Sequence, residues 1–473
     1  MKLTPYLLLA TSLLTCAGRA DSPVGVAIVP ATAGPAIPPD FLGLSFGSKT
    51  LPPDGTGVHF FCATNRPLIT LFRNLGIRHL RLGGTSVESP PSTPIPNEAD
   101  IDDLFAFVKA AGVQKVIYSL RLLETHPGCN YAATNAAIAK YIWSKYRPWL
   151  DCLAIGNEPS RRAIYDQDPA IKNFDSYLGK WRQFASAITS AVPEATFAGP
   201  DASSGDVFWT TNFARAEKDA GLVQIVTEHF YPGGGGRDVP PAKSIEAMLS
   251  ADWVTRNQRH YDRMAVPVMA EGFRYRFTEA NDHFQGGTPA ASDTFAGALW
   301  ALDFLHWWAA HGASGVNFHN TQWVANDVIT VDSNHRLTLN PKGYGLKAFA
   351  LGSLGHVESV TILNPQGLNL AAYAVGDAGK HFVTLINKEH GPGARAASVT
   401  LTAPGPAKGA ALMRLAARDG NAAAKTGVTL GGASIGADGP WLGKWEPLAV
   451  GQSGQCAVKV PAVSAAVVRI EAQ

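Results

Sequence analysis

The sequence predicts an α/β fold, a (β/α)8 barrel followed by a C-terminal β-sandwich domain that an N-terminal strand joins. Three observations carry this. From Phe41 to about Leu354 short apolar, β-rich runs alternate with amphipathic stretches. There are eight such units, with successive strand starts 28 to 50 residues apart, enough for a strand, a crossover helix and two loops. After Gly355 the helical periodicity stops, and strand-like runs broken by Gly, Pro and Asn take over. The expected organisation is 1–20 signal peptide, 21–36 N-terminal strand, 37–355 TIM barrel and 356–473 sandwich.

The predicted barrel strands are Phe41 to Gly47, His79 to Gly84, Lys115 to Arg121, Leu150 to Glu158, Ala195 to Asp201, Val223 to Tyr231, Phe273 to Glu279 and Gly315 to His319. Helical patterns lie between them at Ile101 to Ala111, Ala132 to Tyr146, Ile171 to Val192, Ser244 to Met264 and Asp293 to His311. A doubly wound sheet alternates in the same way, but the first strand here runs through Leu44-Ser45-Phe46-Gly47 into a Pro-rich loop without a GxGxxG phosphate turn. Gly233 to Gly236 lacks the Lys-Ser or Lys-Thr ending of a phosphate loop and reads as a mobile rim segment. The sandwich strands are Leu368 to Val375, His381 to Lys388, Ser398 to Ala403, Leu412 to Ala416, Gly427 to Leu430 and Cys456 to Ile470, with Val24 to Val29 as the added strand.

The chain has 473 residues, 46% hydrophobic and 16% charged, with a formal net charge of +2. That composition supports a large core and supplies no broad field for nucleic acid or an anionic membrane. Lys2, the apolar run Tyr6 to Leu14 and the small residues up to Gly18-Arg19-Ala20 predict a cleaved secretory signal, hence a secreted or periplasmic protein. Cys16 gives a poor lipoprotein match, so lipid anchoring is the lesser expectation. Cys62, Cys129, Cys152 and Cys456 contain no CxxC pair, so no zinc site is expected. Cys129 and Cys152 fall at opposite barrel ends; Cys62 with Cys129 is the more plausible pairing.

Barrel enzymes place chemistry at the C-terminal ends of the strands. The fourth strand ends Ile155-Gly156-Asn157-Glu158-Pro159 and the seventh ends Phe277-Thr278-Glu279-Ala280-Asn281, so two carboxylates stand at the same rim. A pair about 5 to 5.5 Å apart performs double-displacement glycoside hydrolysis, one as nucleophile and the other as acid and then base. The acid needs a raised pKa, which burial or a second carboxylate supplies. Spacing alone fits helix caps or rim carboxylates equally well. Period-two alternation puts His229 and Tyr231 on one face of the sixth strand, and Asn317 and His319 on one face of the eighth. His229, His283 and His319 lack metal-motif spacing, so neither metal nor organic cofactor is expected.

Asn157-Glu158-Pro159 resembles the acid/base motif of the retaining (β/α)8 glycosidase clan. Thr278-Glu279-Ala280-Asn281, Gly286-Gly287 and Ser292-Asp293-Thr294-Phe295 are similar to glycoside hydrolase family 79, the β-glucuronidases and heparanases. So are Leu80-Arg81-Leu82-Gly83-Gly84-Thr85 and Val316-Asn317-Phe318-His319, and the resemblance spans the barrel and the trailing sandwich. It implies Glu158 as acid/base, Glu279 as nucleophile, Arg81 as the guanidinium beside the nucleophile, and Asn157, His229, Tyr231, Phe284, Gly286, Gly287, Asn317 and His319 as the substrate-binding set. Glu271, at the end of the strand-like Val266 to Ala270, is the rival nucleophile.

Members that bind glucuronic acid carry a Tyr where this chain has Phe284, which loses the hydroxyl donor. Lys49, Arg237, Arg274 or Arg276 are the candidate replacements for that contact, although alternation sets Arg274 and Arg276 on the face opposite Glu279 unless a bulge intervenes. The expected activity is β-glucuronide hydrolysis on a carbohydrate substrate by a monomer, with no nucleic-acid partner and no transmembrane segment. The alternatives are a β-glycosidase for a neutral sugar and a non-hydrolytic carbohydrate-binding protein on the same scaffold.

Overall fold

The structure is a computed structural model that describes residues 22–29, 34–89, 94–124, 130–161, 165–166, 168–334, 336–451 and 453–473. The leader expected at 1–20 and Cys129 lie outside these residues. Two strands, β1 (Ser22–Ile28) and β2 (Ala36–Ile37), precede a closed parallel barrel of eight: β3 (Leu42–Gly47), β4 (His79–Gly83), β5 (Lys115–Leu120), β6 (Leu150–Ile155), β7 (Phe197–Ala202), β8 (Val223–Phe230), β9 (Arg274–Ala280) and β10 (Gly315–Asn320). Closure comes from β10, which pairs with both β3 and β9.

The surrounding helices begin with α1 (Arg66–Leu75), which follows the first barrel strand and was not evident in the apolar pattern. Its ends are clear: the Asn65 side chain accepts from the Leu68 N–H, and Gly76 leaves the helix at φ 77, a conformation that costs glycine little. Next come α2 (Glu98–Ala111), closed by an Asn97/Asp100 capping box, α3 (Tyr131–Tyr146), α4 (Phe174–Ala191) and α5 (Val207–Glu217). The helix expected over Ser244 to Met264 is broken into α6 (Pro241–Leu249) and α7 (Asp252–His260), followed by a π-type turn at Tyr261–Ala265 and α8 (Val266–Ala270). The strand-like run before Glu271 is therefore helical, because it continues the preceding turns, in which Ala265 and Val266 already hold right-handed helical angles.

Helix α9 (Phe295–Ala310) is buried from Phe295 to Ala309, apolar almost all round, because its outer face is covered by the second domain. A hairpin, β11 (Ile329–Val331) with β12 (Leu337–Leu339), and α10 (Lys342–Gly352) complete the barrel region.

The second domain stacks two sheets. One runs in the order β14 (Val360–Leu363), β1, β17 (Ala397–Thr402), β21 (Gln455–Val460). The other contains β2, β13 (Gly355–Glu358), β15 (Leu370–Asp377), β16 (Lys380–Asn387), β18 (Ala407–Ala417), β19 (Val428–Leu430) and β22 (Ser464–Ala472), with β20 (Glu446–Leu448) on β18. The single run expected over Cys456 to Ile470 is thus two strands in different sheets. Val24, Val26 and Ile28 alternate into the shared core with Leu385, Val399, Leu401, Val458 and Val468, the period-two burial that fixes register. The N-terminal strand lies between β14 and β17.

Two bulges shape the barrel rim. On β9 the ladder to β8 jumps from Phe277 to Glu279, and the ladder to β10 jumps from Phe277 to Ala280, leaving Thr278 as the extra residue. Tyr275 and Phe277 pack outward on Trp308, while Arg276, Thr278 and Glu279 all bond inside the barrel. This corrects the alternation argument: Arg276 shares the interior with Glu279, but near the barrel floor, where it donates to Asn317 Oδ1 and the Asp40, Phe41 and Ser314 carbonyls. On β7 the corresponding extra residue is Asp201, at φ 55.

The Gly233 to Gly236 run is strapped to the loop after β9 and does not hang free: the Gly233 N–H donates to Asp282 O, the Phe284 N–H to Gly234 O and the Gly236 N–H to Phe284 O. Among the described residues no helix is long and apolar enough to cross a membrane.

The domains are joined by a buried ion pair, Lys388 Nζ to Asp303 Oδ2 at 2.6 Å, with the Tyr373 hydroxyl donating to Asp303 Oδ1 at 2.6 Å. Asp303→Ala strands a buried ammonium and is expected to cost about 3–5 kcal/mol, read as a lower urea midpoint. Asp303→Leu combined with Lys388→Met is expected to recover most of that loss.

Candidate active site

Arg81 lies wholly buried on β4, inside the barrel, level with Ser45 and Ile117 on the neighbouring strands. Its Nη1 donates to Glu279 Oε1 at 2.8 Å; its Nη2 donates to Asp201 Oδ2 at 2.7 Å and to Asn157 Oδ1 at 2.8 Å. The two bulges bring Asp201 and Glu279 to this one cation. Because a guanidinium only donates, the Asn157 carbonyl oxygen must face it, and Nδ2 is left as a buried donor without a partner among the described residues.

Glu279 has both oxygens engaged: Oε2 accepts from the Tyr231 hydroxyl at 3.0 Å, and His319 Nδ1 lies 3.5 Å from Oε1. Burial would raise its pKa, but the charges of His229, His319 and Arg81 hold it far below the usual carboxylate range. It is ionised at any working pH, as a nucleophile requires.

Glu158 sits in the turn after β6 at φ 49, with Gly156 at φ 89 two residues before it. A Cβ on Gly156 would approach Leu122 and the Tyr165 hydroxyl at 3.2 to 3.3 Å, so the turn needs glycine for both its conformation and its space. The turn is tied down by the Glu158 N–H donating to Asp201 O at 2.8 Å. It is also held by the Tyr165 hydroxyl, which accepts from the Asn157 N–H at 3.1 Å and lies 3.1 Å from Glu88 Oε1. Glu88 is buried and pushed up to about 7 by that burial, against backbone hydrogen bonds from Leu123 and Leu122.

His229 bridges the two carboxylates, with Nδ1 3.1 Å from Glu158 Oε1 and 3.4 Å from Glu279 Oε2. One oxygen of each carboxylate and a His229 ring nitrogen all lie within 4.8 Å of one another. That separation fits the retaining arrangement, since inversion needs room for a water between the pair.

The expected raised pKa of the acid is absent in the free protein. Burial pushes Glu158 up, but the hydrogen bond and charge of His229, with Arg161 on Oε2, hold it below the usual value. His229 itself is pushed down by burial and held above its usual value by Glu279 and Glu158. The two carboxylates thus favour the protonated form of His229, with its Nδ1–H directed at Glu158, while its Nε2 has no partner among the described residues.

The other sequence-derived residues separate by depth. Tyr231 and His319 line the site. Phe284 is 41% exposed and meets the Tyr231 ring edge to face at 6.3 Å. Gly286 and Gly287, at φ 85 and 81, pack on Val324, Asn326 and Ser292.

Asn317 is not on the substrate wall. Two residues before His319 places it about 6.6 Å deeper in the barrel, where its amide donates to Leu44 O and it accepts from Arg276. Glu271 is out of the barrel altogether, paired at the surface with Lys218. Arg274 pairs with Asp151; Arg237 is exposed in the rim loop after β8, one residue beyond Gly236, whose N–H donates to Phe284 O, and Lys49 follows the first barrel strand at the same rim.

Asp201, Arg161, Tyr165 and Glu88 were not singled out from sequence. Asp201 ends the fifth strand as Glu158 ends the fourth, so the same positional rule was available for it. Cys62, Cys152 and Cys456 are free thiols. The Glu158, His229 and Glu279 atoms are close enough to share a cation, as are those of Asp40, His79 and Asp151 at the floor. Each cluster is already balanced by guanidinium groups, Arg81 and Arg161 in the first, Arg274 and Arg276 in the second.

Residues 371–467 match the family described as glycosyl hydrolase family 79 C-terminal beta domain. Solved structures with the same overall fold include a 4-O-α-L-rhamnosyl-β-D-glucuronidase from Fusarium oxysporum, 16% identical, TM-score 0.72, covering 94% of this chain and 99% of that one. A bifunctional glucanase-xylanase from a metagenome library is 15% identical, TM-score 0.65, over 96% and 99%. A family 51 arabinofuranosidase from Xanthomonas axonopodis is 14% identical, TM-score 0.66, over 95% and 100%. At these identities the likeness is one of fold. No curated protein matches the chain in sequence. In fold and domain order the molecule resembles that glucuronidase, and its C-terminal domain is similar to that of glycosyl hydrolase family 79.

This cluster sets a testable pH dependence. For hydrolysis with Glu279 as nucleophile and a proton delivered through Glu158, the raised His229 pKa puts the alkaline limb of kcat/KM above the ordinary histidine value. In His229→Gln the proton must sit on Glu158 alone, and that limb is expected to move to lower pH by roughly one unit or more. A pH-rate profile of both proteins checks this.

Proposed function

We propose that the protein is a retaining β-glycoside hydrolase whose reaction centre takes β-linked glucuronic acid. The observation that carries the reading is the pair of inward carboxylates within 4.8 Å, with His229 between them and Glu279 held well below the usual carboxylate range by His229, His319 and Arg81. The family 79 domain and the likeness in fold to a glucuronidase support it.

In the first step Glu279 attacks the anomeric carbon as the bond to the leaving oxygen breaks. The proton held by His229 and Glu158 passes through Glu158 to that oxygen. Attack neutralises Glu279, which removes the charge that kept the proton on His229, so transfer becomes easier as the bond breaks. In the second step Glu158 takes a proton from water, whose oxygen displaces Glu279 and frees the sugar. The open Asn157 Nδ2 supplies a donor for a sugar hydroxyl whose interaction strengthens at the transition state.

The uronate preference is supported by the loop after β9. Gln285, Gly286 and Gly287 pass through three consecutive left-handed conformations, and none of their N–H groups has an acceptor among the described residues. Turns of this kind gather backbone donors into anion-binding concavities. One observation favours a neutral sugar instead: Phe284 brings no hydroxyl, and no cationic side chain on β9 faces the site. Export to the periplasm or medium is part of this proposal and rests on the N-terminal sequence alone.

Hydrolysis of chromogenic β-glucuronide, β-glucoside and β-xyloside separates the readings; sugar binding without turnover on all three would leave a binding protein. Phe284→Tyr restores a donor and is expected to raise the glucuronide-to-glucoside ratio of kcat/KM by about tenfold. Glu279→Gly is expected to lose turnover and to regain it with azide. Rescue confined to Glu271→Gly would reverse the assignment.

A further inference from the structure

Glu88 closes the short 3-10 turn Thr85–Glu88 after β4, and Tyr165 lies in the segment after the Glu158 turn; both side chains are buried. What they meet is the backbone that carries Glu158. We propose that the two are positioning residues for the general acid: a protonated Glu88 carboxyl turns the Tyr165 hydroxyl onto the Asn157 carbonyl and so locks the peptide plane from which Glu158 hangs. The inference rests on the hydrolase reading and deepens it by saying what holds its acid in place.

The geometry is specific. The Tyr165 oxygen lies 2.9 Å from Asn157 O, accepts from the Asn157 N–H at 3.1 Å and stands 3.1 Å from Glu88 Oε1. The Asn157 carbonyl and the Glu158 N–H are the two ends of one planar peptide unit, and the Glu158 end donates to Asp201 O at 2.8 Å. A plane held at both ends has little freedom to tilt. That restraint matters because Glu158 is held at φ 49, a left-handed conformation that a residue with a Cβ keeps only where its surroundings impose it. Released at the carbonyl end, the plane can rotate toward an ordinary conformation and carry the Glu158 carboxyl with it.

The hydroxyl has one proton and two acceptors within reach. Where Glu88 is ionised, its charge draws that proton and the Asn157 carbonyl loses its donor. Where Glu88 is protonated, its own O–H donates to the phenol, whose proton turns to Asn157 O. The surroundings suit a carboxyl that carries a proton: Oε2 accepts from the Leu123 N–H at 2.9 Å and lies 3.3 Å from Leu122 N, which leaves Oε1 to face Tyr165. Burial brings Glu88 up to about 7, against the Leu123 and Leu122 N–H groups, Tyr165 and the charge of Arg121, so the protonated form is populated at neutral pH. Arg121, whose Nε donates to Val87 O, and Tyr177 of α4, a phenol that burial keeps neutral, are the other titratable groups that act on it among the described residues. Glutamine at this position presents the same pattern as the protonated acid, an acceptor toward Leu123 and a donor toward Tyr165.

The test separates the acid from the rest of the site by the leaving group. A 2,4-dinitrophenyl group departs as a stable anion and needs little protonation, whereas a phenyl group needs the acid. We would measure kcat/KM on the phenyl and 2,4-dinitrophenyl β-glycosides of whichever sugar the wild type cleaves best among glucuronide, glucoside and xyloside. In Tyr165→Phe, which keeps the ring, the loss on the phenyl glycoside is expected to exceed the loss on the dinitrophenyl glycoside by about tenfold or more. Glu88→Ala is expected to show the same imbalance, and Glu88→Gln to restore the wild-type ratio to within about threefold. Equal losses on both substrates in Tyr165→Phe, or no loss on either, overturn the positioning role and leave the hydrolase standing, as does a ratio in Glu88→Gln as impaired as in Glu88→Ala. Should Glu88→Ala fail to fold, Tyr165→Phe set against Glu88→Gln decides alone. If the wild type cleaves no glycoside, the hydrolase reading and this one fall together.

Discussion

The reaction centre is organised by one buried cation. Arg81 has no solvent to offset its charge, so it must be met by anions and oriented acceptors, and the barrel supplies Glu279, Asp201 and Asn157 from three other strands or strand ends. Regular pleating would not bring them in together. The extra residues at Asp201 and Thr278 break the alternation where acidic side chains must turn toward the axis. Removal of any one partner would therefore disturb the others, since Asp201 also holds the Glu158 turn through its carbonyl.

A second consequence of this crowding is that protonation belongs to the cluster more than to any residue. Glu158, His229 and Glu279 are near enough for each charge to set the others. In the proposed reaction Glu158 needs no high pKa at rest, because His229 can hold the proton one hydrogen bond away until Glu279 loses its charge.

The chain made the barrel legible through its eight alternating units, and the paired carboxylates through their position at the ends of apolar runs. What it hid has physical causes. Alternation gives the face of a residue but not its depth, so Asn317 was grouped with His319 although its amide is spent at the floor. A bulge leaves no mark in an apolar pattern, so Arg276 was set outside the barrel. Glycine content does not show where backbone donors go, which is why Gly233 to Gly236 read as mobile when it is laced to Asp282 and Phe284. Glu271 misled because Val266 to Ala270 is β-branched and short, and only the preceding helical turns decide its conformation.

The weaving of β1 between β14 and β17 has an architectural consequence. The barrel is an insertion, in topological terms, within the sheet system of its companion domain, whose strands bracket it on both sides in the chain. No single cut separates the two: a fragment stopping before β13 would carry β1 with Val24, Val26 and Ile28 bare along an open edge, an invitation to pair with other molecules. The sheet around β1 can close only once the chain beyond the barrel has been synthesised, since both partners of β1 follow the barrel in sequence.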